Sequence, residues 1–386
     1  MKKLLLAVAV IALAPSAWAD APGVTDKEIV IGACLPMSGP ASAYGAHISH
    51  GAEDFVRGLN AKGGVNGRKI KLSVGDDKYE LEAGIACYQN LQKEGIFATS
   101  LNFASAILTK HVPMAEASKT PLVGVYTAPL FTVNPVHRYV FTGRPTYREE
   151  MHGVIDHLWN DSGMRKFGVL YQEDAYGVDL LDGIKEGLKA HNAEIAGLGS
   201  YVRNVNDIDK AYADIKAAKP DVVFLAGVAL PSSKFVKKAR ADGWNPLFVT
   251  NSGAGADVFA TAAGEAAEGV IGTEAFPSLS RTDLATVAQY IKAQKQYFPD
   301  EAPTLAGLRG YINMLVLEKG LKEAGKELDR EKLVDALEKL HDTDVGLGAD
   351  KLSFGADDHT GLHAVYYTIV KGGKAVGFDN WKSLAK

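Results

Sequence analysis

The sequence predicts an α/β protein of two lobes, and three observations predict it. The first is the stretch Ile29–Gly45, IVIGACLPMSGPASAYG. An apolar run (Ile29, Val30, Ile31, Ala33, Cys34, Leu35) reads as a buried strand and breaks at Pro36. A loop of small residues follows, and Ile48, Ala52, Phe55, Val56 and Leu59 then recur along one helical face. The second observation is that the unit returns at Phe167–Gly177, again with Ala-Tyr-Gly at the helix start, around Tyr44 and Tyr176. The third is size and composition. A chain of 386 residues with 40 glycines and short apolar runs suits two ordinary α/β domains. Strand, loop and helix N-terminus form the unit whose C-terminal edge holds ligands. Two such edges predict a cleft closed from both sides.

Before the first strand, Lys2 and Lys3 precede an apolar segment, Leu4–Ala14, and Ala17-Trp18-Ala19 is an A-x-A cleavage site. Residues 1–19 therefore read as a signal peptide, with the mature chain starting at Asp20 in the periplasm. The apolar run is shorter than the ~20 residues a membrane span needs, and no cysteine sits at the cleavage point for a lipid anchor. A soluble exported protein is expected. The net charge is -4, with basic residues spread along the chain. That argues against nucleic acid and against a polybasic membrane patch. Cys34 and Cys87 are the only cysteines. A disulfide and a pair of buried thiols both fit them.

The elements alternate along the chain. A turn at Asn66-Gly67 leads to a strand over 69–74, ending at Asp76-Asp77, and a helix over 80–94 stops at Gly95. Strands at 96–100 and 121–125 end in the loops Asn102-Phe103-Ala104-Ser105 and Tyr126-Thr127-Ala128-Pro129. Residues 138–147 read as an extended crossover. Beyond it come a helix over 148–159, strand 167–171, helix 178–190 and strand 195–201. Helix 208–218, strand 222–226, helix 232–241 and strand 247–250 continue the pattern into the loop Asn251–Gly255. Past 269–276 it changes to three amphipathic helices, 284–298, 305–324 and 330–340. Strands over 351–354, 362–370 and 374–378, the last two about Gly372-Gly373, close the chain.

Catalytic patterns are missing from this sequence. It has no G-x-S-x-G, no phosphate-binding G-x-x-x-x-G-K-[ST] and no H-E-x-x-H. Gly253 and Gly255 make only a G-x-G. The pairs His47/His50, on a helix, and His359/His363, on a strand, have metal-compatible spacings but no cysteine or acidic cluster to complete a site. Asp76-Asp77 reads as a cap or turn, since neighbours on a strand point to opposite faces. The reading is a non-enzyme with no cofactor and no metal. What remains are strand-end loops with hydroxyls (Ser38, Ser42, Ser105, Thr127) and flat apolar surface (Tyr44, Phe103, Tyr126, Tyr176). That combination suits a small ligand held without being transformed.

These residues also carry a family resemblance. The A-x-A signal, IVIGACLPMSGPASAYG, GLNAKGGVNGRKIKL, DDKYE, PDVVFLAG, ARADGWNPLFVT and GEAAEGVIGT, in this order, resemble the type I periplasmic solute-binding proteins. The likeness is to the leucine/isoleucine/valine-binding receptors of ABC importers and runs from about 25 to 378. It implies two Rossmann-like lobes joined by three crossovers, 27–143 with about 276–348 and about 147–272 with about 351–386. Partners implied are a small-molecule ligand and importer permease subunits, with the receptor itself a monomer outside the membrane. The implied ligand-binding set is Tyr44, Asn102, Phe103, Ser105, Tyr126, Thr127, Ala128, Tyr176, Val228 and Ser252. Within it Ser105 helps hold a carboxylate and Tyr176 closes over the ligand, with Gly143–Pro145 among the hinge residues. The chain departs from the family at two points. Ser252 stands where amino-acid binders carry the acid that takes the ligand ammonium, and Val228-Ala229 replace a family aromatic. Either Asp257 or Glu274 substitutes for that acid, or the ligand has no ammonium. A sensory subunit is the rival to an import receptor.

Overall fold

A computed structural model describes residues 21–39, 41–205 and 207–385. The signal peptide expected over 1–19 lies outside the described residues. In chain order the first half runs β1 (Glu28–Leu35), α1 (Ser42–Ala61), β2 (Lys69–Asp76), α2 (Leu81–Glu94), β3 (Ala98–Thr99), α3 (Ser105–Ser118), β4 (Leu122–Val123) and β5 (Val140–Phe141). After a crossover come α4 (Tyr147–Asn160), β6 (Phe167–Gln172), α5 (Ala175–Ala190), β7 (Ile195–Tyr201), α6 (Asp209–Ala217), β8 (Val222–Ala226), α7 (Ala229–Ala241), β9 (Leu247–Thr250), α8 (Ala256–Ala263) and β10 (Ile271–Glu274). The last part holds α9 (Ala285–Tyr297), α10 (Leu305–Ala324), α11 (Arg330–Leu337), β11 (Thr343–Leu347), β12 (Asp350–Leu352), β13 (Tyr366–Lys371) and β14 (Lys374–Gly377).

Two sheets result. One has the order β2-β1-β3-β4-β5 and is parallel throughout. The other has the order β14-β13-β10-β9-β8-β6-β7. Its β7-β6-β8-β9-β10 portion is parallel and repeats the topology of the first sheet. β13 adds antiparallel to β10 and β14 to β13. In each sheet the strand order reverses beside the first strand, β1 or β6, and α1 and α5 leave from those points. A strand-order reversal opens a crevice at the carboxyl ends of the strands. The two Ala-Tyr-Gly segments therefore sit at the ligand edge of both sheets for one topological reason.

The chain passes between sheets three times: after β5, after β10, and between β12 and β13. The segment after β10 returns to the first sheet because α10 packs on α1 at backbone contact. A Cβ on Gly51 would lie 1.9 Å from the Gly307 carbonyl oxygen, and one on Gly310 would lie 2.3 Å from that of Ile48. Only glycine permits that approach. α2 connects β2 to β3 and crosses β1, which lies between them. This brings Cys34 and Cys87 within 6.1 Å (Cα to Cα), and the two are disulfide-bonded.

Several boundaries differ from the sequence expectation. α5 begins at Ala175 rather than 178, because the Asp174 carboxylate accepts from the Tyr176 and Gly177 backbone N–H groups. α7 begins at Ala229 rather than 232, with Pro231 in its first turn, where its missing N–H costs nothing. α8 and β11 carry no strong pattern in the sequence, and neither was expected, whereas β12 lies where a strand was expected over 351–354. β13 starts at Tyr366, so His359 and His363 lie in the loop before it rather than on a strand. His359 is stacked on Phe141 at 3.8 Å. His363 lies between Glu149 (Nδ1 to Oε1, 2.5 Å) and Asp358 (Nε2 to Oδ2, 3.2 Å).

Candidate functional site

The loops at the C-terminal ends of β3, β4, β8 and β9 meet across the cleft with the start of α5. They line a chamber of about 260 Å³, counting the part open to solvent, and only about 10 Å³ of it can hold the centre of a water molecule. The lining is Tyr79, Phe103, Ala104, Ser105, Tyr126, Thr127, Tyr147, Tyr176, Val228 and Gly253. None of these side chains is charged. On one wall the hydroxyls form a chain: Ser105 Oγ to Thr127 Oγ1 at 2.8 Å, and Thr127 Oγ1 to the Tyr147 hydroxyl at 2.6 Å. Ser105 is also the first residue of α3, which has no side-chain cap. The leading N–H groups of that helix and the positive end of its dipole thus lie at the chamber wall. On the opposite wall the Tyr176 hydroxyl donates to Asn251 Oδ1. Burial pushes the Tyr126 phenol up to about 12 and raises those of Tyr147 and Tyr176 as well. These groups are neutral hydroxyls across the physiological range.

Six of the ten residues expected from the sequence line this chamber: Phe103, Ser105, Tyr126, Thr127, Tyr176 and Val228. The other four do not. Asn102 is buried behind it, its carbonyl accepting from Tyr126 N–H (3.3 Å) and its amide against His111 Nδ1 (2.9 Å). Burial lowers the His111 pKa to about 4, so the ring is neutral and braces the loop. Ala128 contributes its carbonyl, which accepts from Tyr147 N–H at 3.0 Å. Tyr44 reaches across the cleft, donating to the Ala254 carbonyl at 2.7 Å, with its ring 5.6 Å from Phe103. Its hydroxyl also accepts from Ala229 N–H at 3.4 Å.

Ser252 is turned away from the chamber. Its hydroxyl donates to Glu150 and accepts from Arg144, and all three residues are fully buried. Glu150 also accepts from Thr273 (2.6 Å), while Arg309 donates to the Ser252 carbonyl (2.9 Å) and pairs with Glu274 (3.3 Å). This network joins the first crossover, α4, the end of β9, β10 and α10. Its pairs Arg144–Glu150 and Arg309–Glu274 lie behind the chamber wall. The two acids that could replace the one absent at 252 are likewise engaged elsewhere. Asp257 Oδ2 accepts from Leu305 N–H (2.8 Å), and Glu274 Oε1 accepts from Ala256 N–H (3.2 Å). Burial pushes the Glu274 carboxyl up to about 8 against the pull of Arg309.

Tyr79, Ala104, Tyr147 and Gly253 line the chamber without having been singled out in the sequence. Tyr147 ends the crossover segment, and Gly253 lies beside Ser252. Tyr79 had the clearest signal, the Asp77-Lys78-Tyr79 turn. Its φ is +61°, and its N–H donates to Asp77 Oδ1 at 2.8 Å. Gly253 has no side chain for a direct reason: a Cβ there would lie 2.5 Å from the Tyr176 hydroxyl. Among the described residues no three His, Cys, Asp or Glu side chains assemble into a metal site. No helix of the described residues is long and apolar enough to cross a membrane.

Two α/β lobes whose strand ends meet at a neutral aromatic chamber define a ligand-binding protein. The chain belongs to the periplasmic binding protein family, whose model matches residues 28–375. It is 27% identical over 339 residues to the Leu/Ile/Val-binding protein homolog 1 of Brucella abortus, covering 86% of this chain and 85% of that one. A possible leucine/isoleucine/valine-binding protein from Rhodopirellula baltica superposes with a TM-score of 0.88 at 27% identity, covering 95% and 100%. A fatty acid ABC transporter substrate-binding protein from Thermomonospora curvata has the same fold, with a TM-score of 0.85 at 22% identity and 94% of both chains covered. Proteins named for chemically different ligands thus share these two lobes. The ligand must be read from the chamber.

Proposed function

We propose that the protein is an exported receptor of an ABC importer that traps a small amphipathic carboxylate lacking an amino group. The observation that carries this reading is the uncharged lining. No carboxylate reaches the chamber, and the side chain at the position of the missing acid, Ser252, is committed to Arg144 and Glu150. A ligand ammonium would lose its hydration there with no anion to receive it. An unpaired buried charge of that kind costs several kcal/mol. A carboxylate is provided for differently. The hydroxyls of Ser105, Thr127 and Tyr147 and the first N–H groups of α3 supply donors beside a helix N-terminus. Phe103, Tyr126 and Tyr176 would enclose the apolar body.

In this reading residues 27–143 with about 276–348 form one lobe, and about 147–272 with about 351–386 the other. The first 19 residues direct export to the periplasm and are removed. The lobes turn about crossovers that include Gly143–Pro145, and the receptor works as a monomer. Ligand touches both lobes only when they are closed, so binding raises the closed population that the importer's membrane subunits recognise. Tyr44, Asn102 and Ala128 act behind the chamber, closing the cleft and shaping its wall.

A second reading, a branched-chain amino-acid receptor, is favoured by the names of the similar proteins alone. Thermal unfolding of ligand-stripped protein separates the two. At about 100 times its dissociation constant a ligand adds roughly 2.7 kcal/mol, a shift of several degrees. Stabilisation by benzoate-type or short aliphatic acids, with none by leucine, valine or phenylalanine, is expected. Stabilisation by amino acids alone would overturn the amine-free reading.

A further inference from the structure

The chamber does not end at its aromatic wall. Tyr79 and Val228 line it on one side and a second cavity on the other. That second cavity measures about 660 Å³ with its open mouth, and about 130 Å³ of it can hold the centre of a water molecule, against about 10 Å³ in the chamber. Its walls come from the start of α1 (Tyr44), the start of α7 (Leu230) and α8 (Val258, Ala262). Its lining is also free of charge, and Asn204 supplies the one amide. Leu230, in that lining, is 46% exposed.

Tyr79 and Val228 stand between the two spaces, since both residues line each of them. The Tyr79 ring lies 4.1 Å from the Arg203 guanidinium, and its hydroxyl accepts from Gln172 Nε2 at 3.1 Å.

We propose that the second cavity is a tail compartment of the ligand site. The carboxylate lies against Ser105 and Thr127, and an unbranched alkyl or arylalkyl tail passes Tyr79 and Val228 into the space between α1, α7 and α8. The ligand class is an amine-free carboxylate carrying an extended apolar chain. This inference rests on the amine-free reading above and goes beyond it in assigning the tail a place.

The test is calorimetric titration of ligand-stripped protein with butanoate, hexanoate and octanoate, and with benzoate and 4-phenylbutanoate. Burial of each further methylene is worth about 4-fold in affinity. The expected result is a steep rise from butanoate to octanoate and from benzoate to 4-phenylbutanoate. In Ala262→Phe, which fills the compartment, the octanoate-to-butanoate affinity ratio should fall at least 10-fold. Leu230→Gln, at an exposed lining position that tolerates substitution, should lower the same ratio more modestly, which keeps the test open if the Phe variant folds poorly. Short acids that bind while the chain-length series stays flat overturn the compartment and leave the amine-free reading standing. The same holds for a series equally steep in both variants. Binding by amino acids alone, or by no acid at all, removes both.

Discussion

Ser252→Ala separates a wall residue from a ligand contact. In the structure the hydroxyl lies between the Glu150 carboxylate and the Arg144 guanidinium, with no solvent near it. Its removal leaves those two ions paired with each other, and Glu150 keeps its bond from Thr273. The loss is therefore not the ~3–5 kcal/mol of an orphaned buried charge. It is that of a neutral hydroxyl bonded to charged groups, ~1.5–3 kcal/mol. For lobes of this size that lowers the melting temperature by about 3–12 °C. Urea and thermal unfolding measure the stability, and titration with the tightest-binding acid from the ligand screen measures the site. Affinity should change little, because the hydroxyl faces away from the chamber. Ser105→Ala should show the reverse pattern, a loss of roughly 10-fold or more in affinity with a small stability change, since it removes a donor at the chamber wall. An unchanged melting temperature in Ser252→Ala together with a large affinity loss would refute the reasoning, because the hydroxyl would then face the ligand.

Two further predictions concern stability. The Cys34–Cys87 bridge closes a loop with a sequence separation of 53, for which chain entropy gives about 4 kcal/mol, and disulfides typically contribute ~2–4. A Cys34→Ala/Cys87→Ala variant should lose that much in urea unfolding, and two thiols reacting in the unreduced, unfolded protein would show that no bridge forms. Asp77 is fully buried, and burial pushes its carboxyl up to about 7. The folded state therefore holds this proton more tightly than the unfolded chain. Its contribution to stability is complete below about pH 4 and is lost as the pH rises through about 7, by at most ~4 kcal/mol. Asp77→Asn keeps an acceptor for Tyr79 N–H and cannot ionise, so its stability relative to the parent should rise between pH 4 and pH 8. A constant difference across that range would sink the assignment.

Much of this architecture was legible in the chain. The alternation of apolar runs with amphipathic stretches reflects strands buried on both faces by helices, the signature of a parallel sheet. β1 and β6 were found because their residues are almost all apolar, and the helices after them because their buried positions recur with the helical period. β11 and α8 carry no such pattern. β11 is a strand of five residues, and α8 is eight residues of mostly small side chains. Loop length hid the true start of β13. Within the site, the residues at strand ends were visible because an open α/β sheet has one ligand edge, and that argument reached Phe103, Ser105, Tyr126, Thr127 and Tyr176.

The sequence by itself determined the two-lobed α/β class, the position of the carboxyl edges of both sheets and the aromatic, hydroxyl-bearing character of the loops along them. Those properties follow from local periodicity and from rules of chain connection. Which way each side chain faces, and what its neighbours leave unsatisfied, was decided only in three dimensions. Ser252 looks like a ligand contact until Arg144 and Glu150, 108 and 102 residues away in the chain, are seen to hold its hydroxyl. Cys34 and Cys87 become a pair only when α2 is known to cross β1. Tyr79 becomes a wall of the chamber only when the opposite lobe brings Gln172 and Arg203 onto it. Each of these depends on contacts between segments far apart in sequence, and no local pattern records which distant group will meet a side chain.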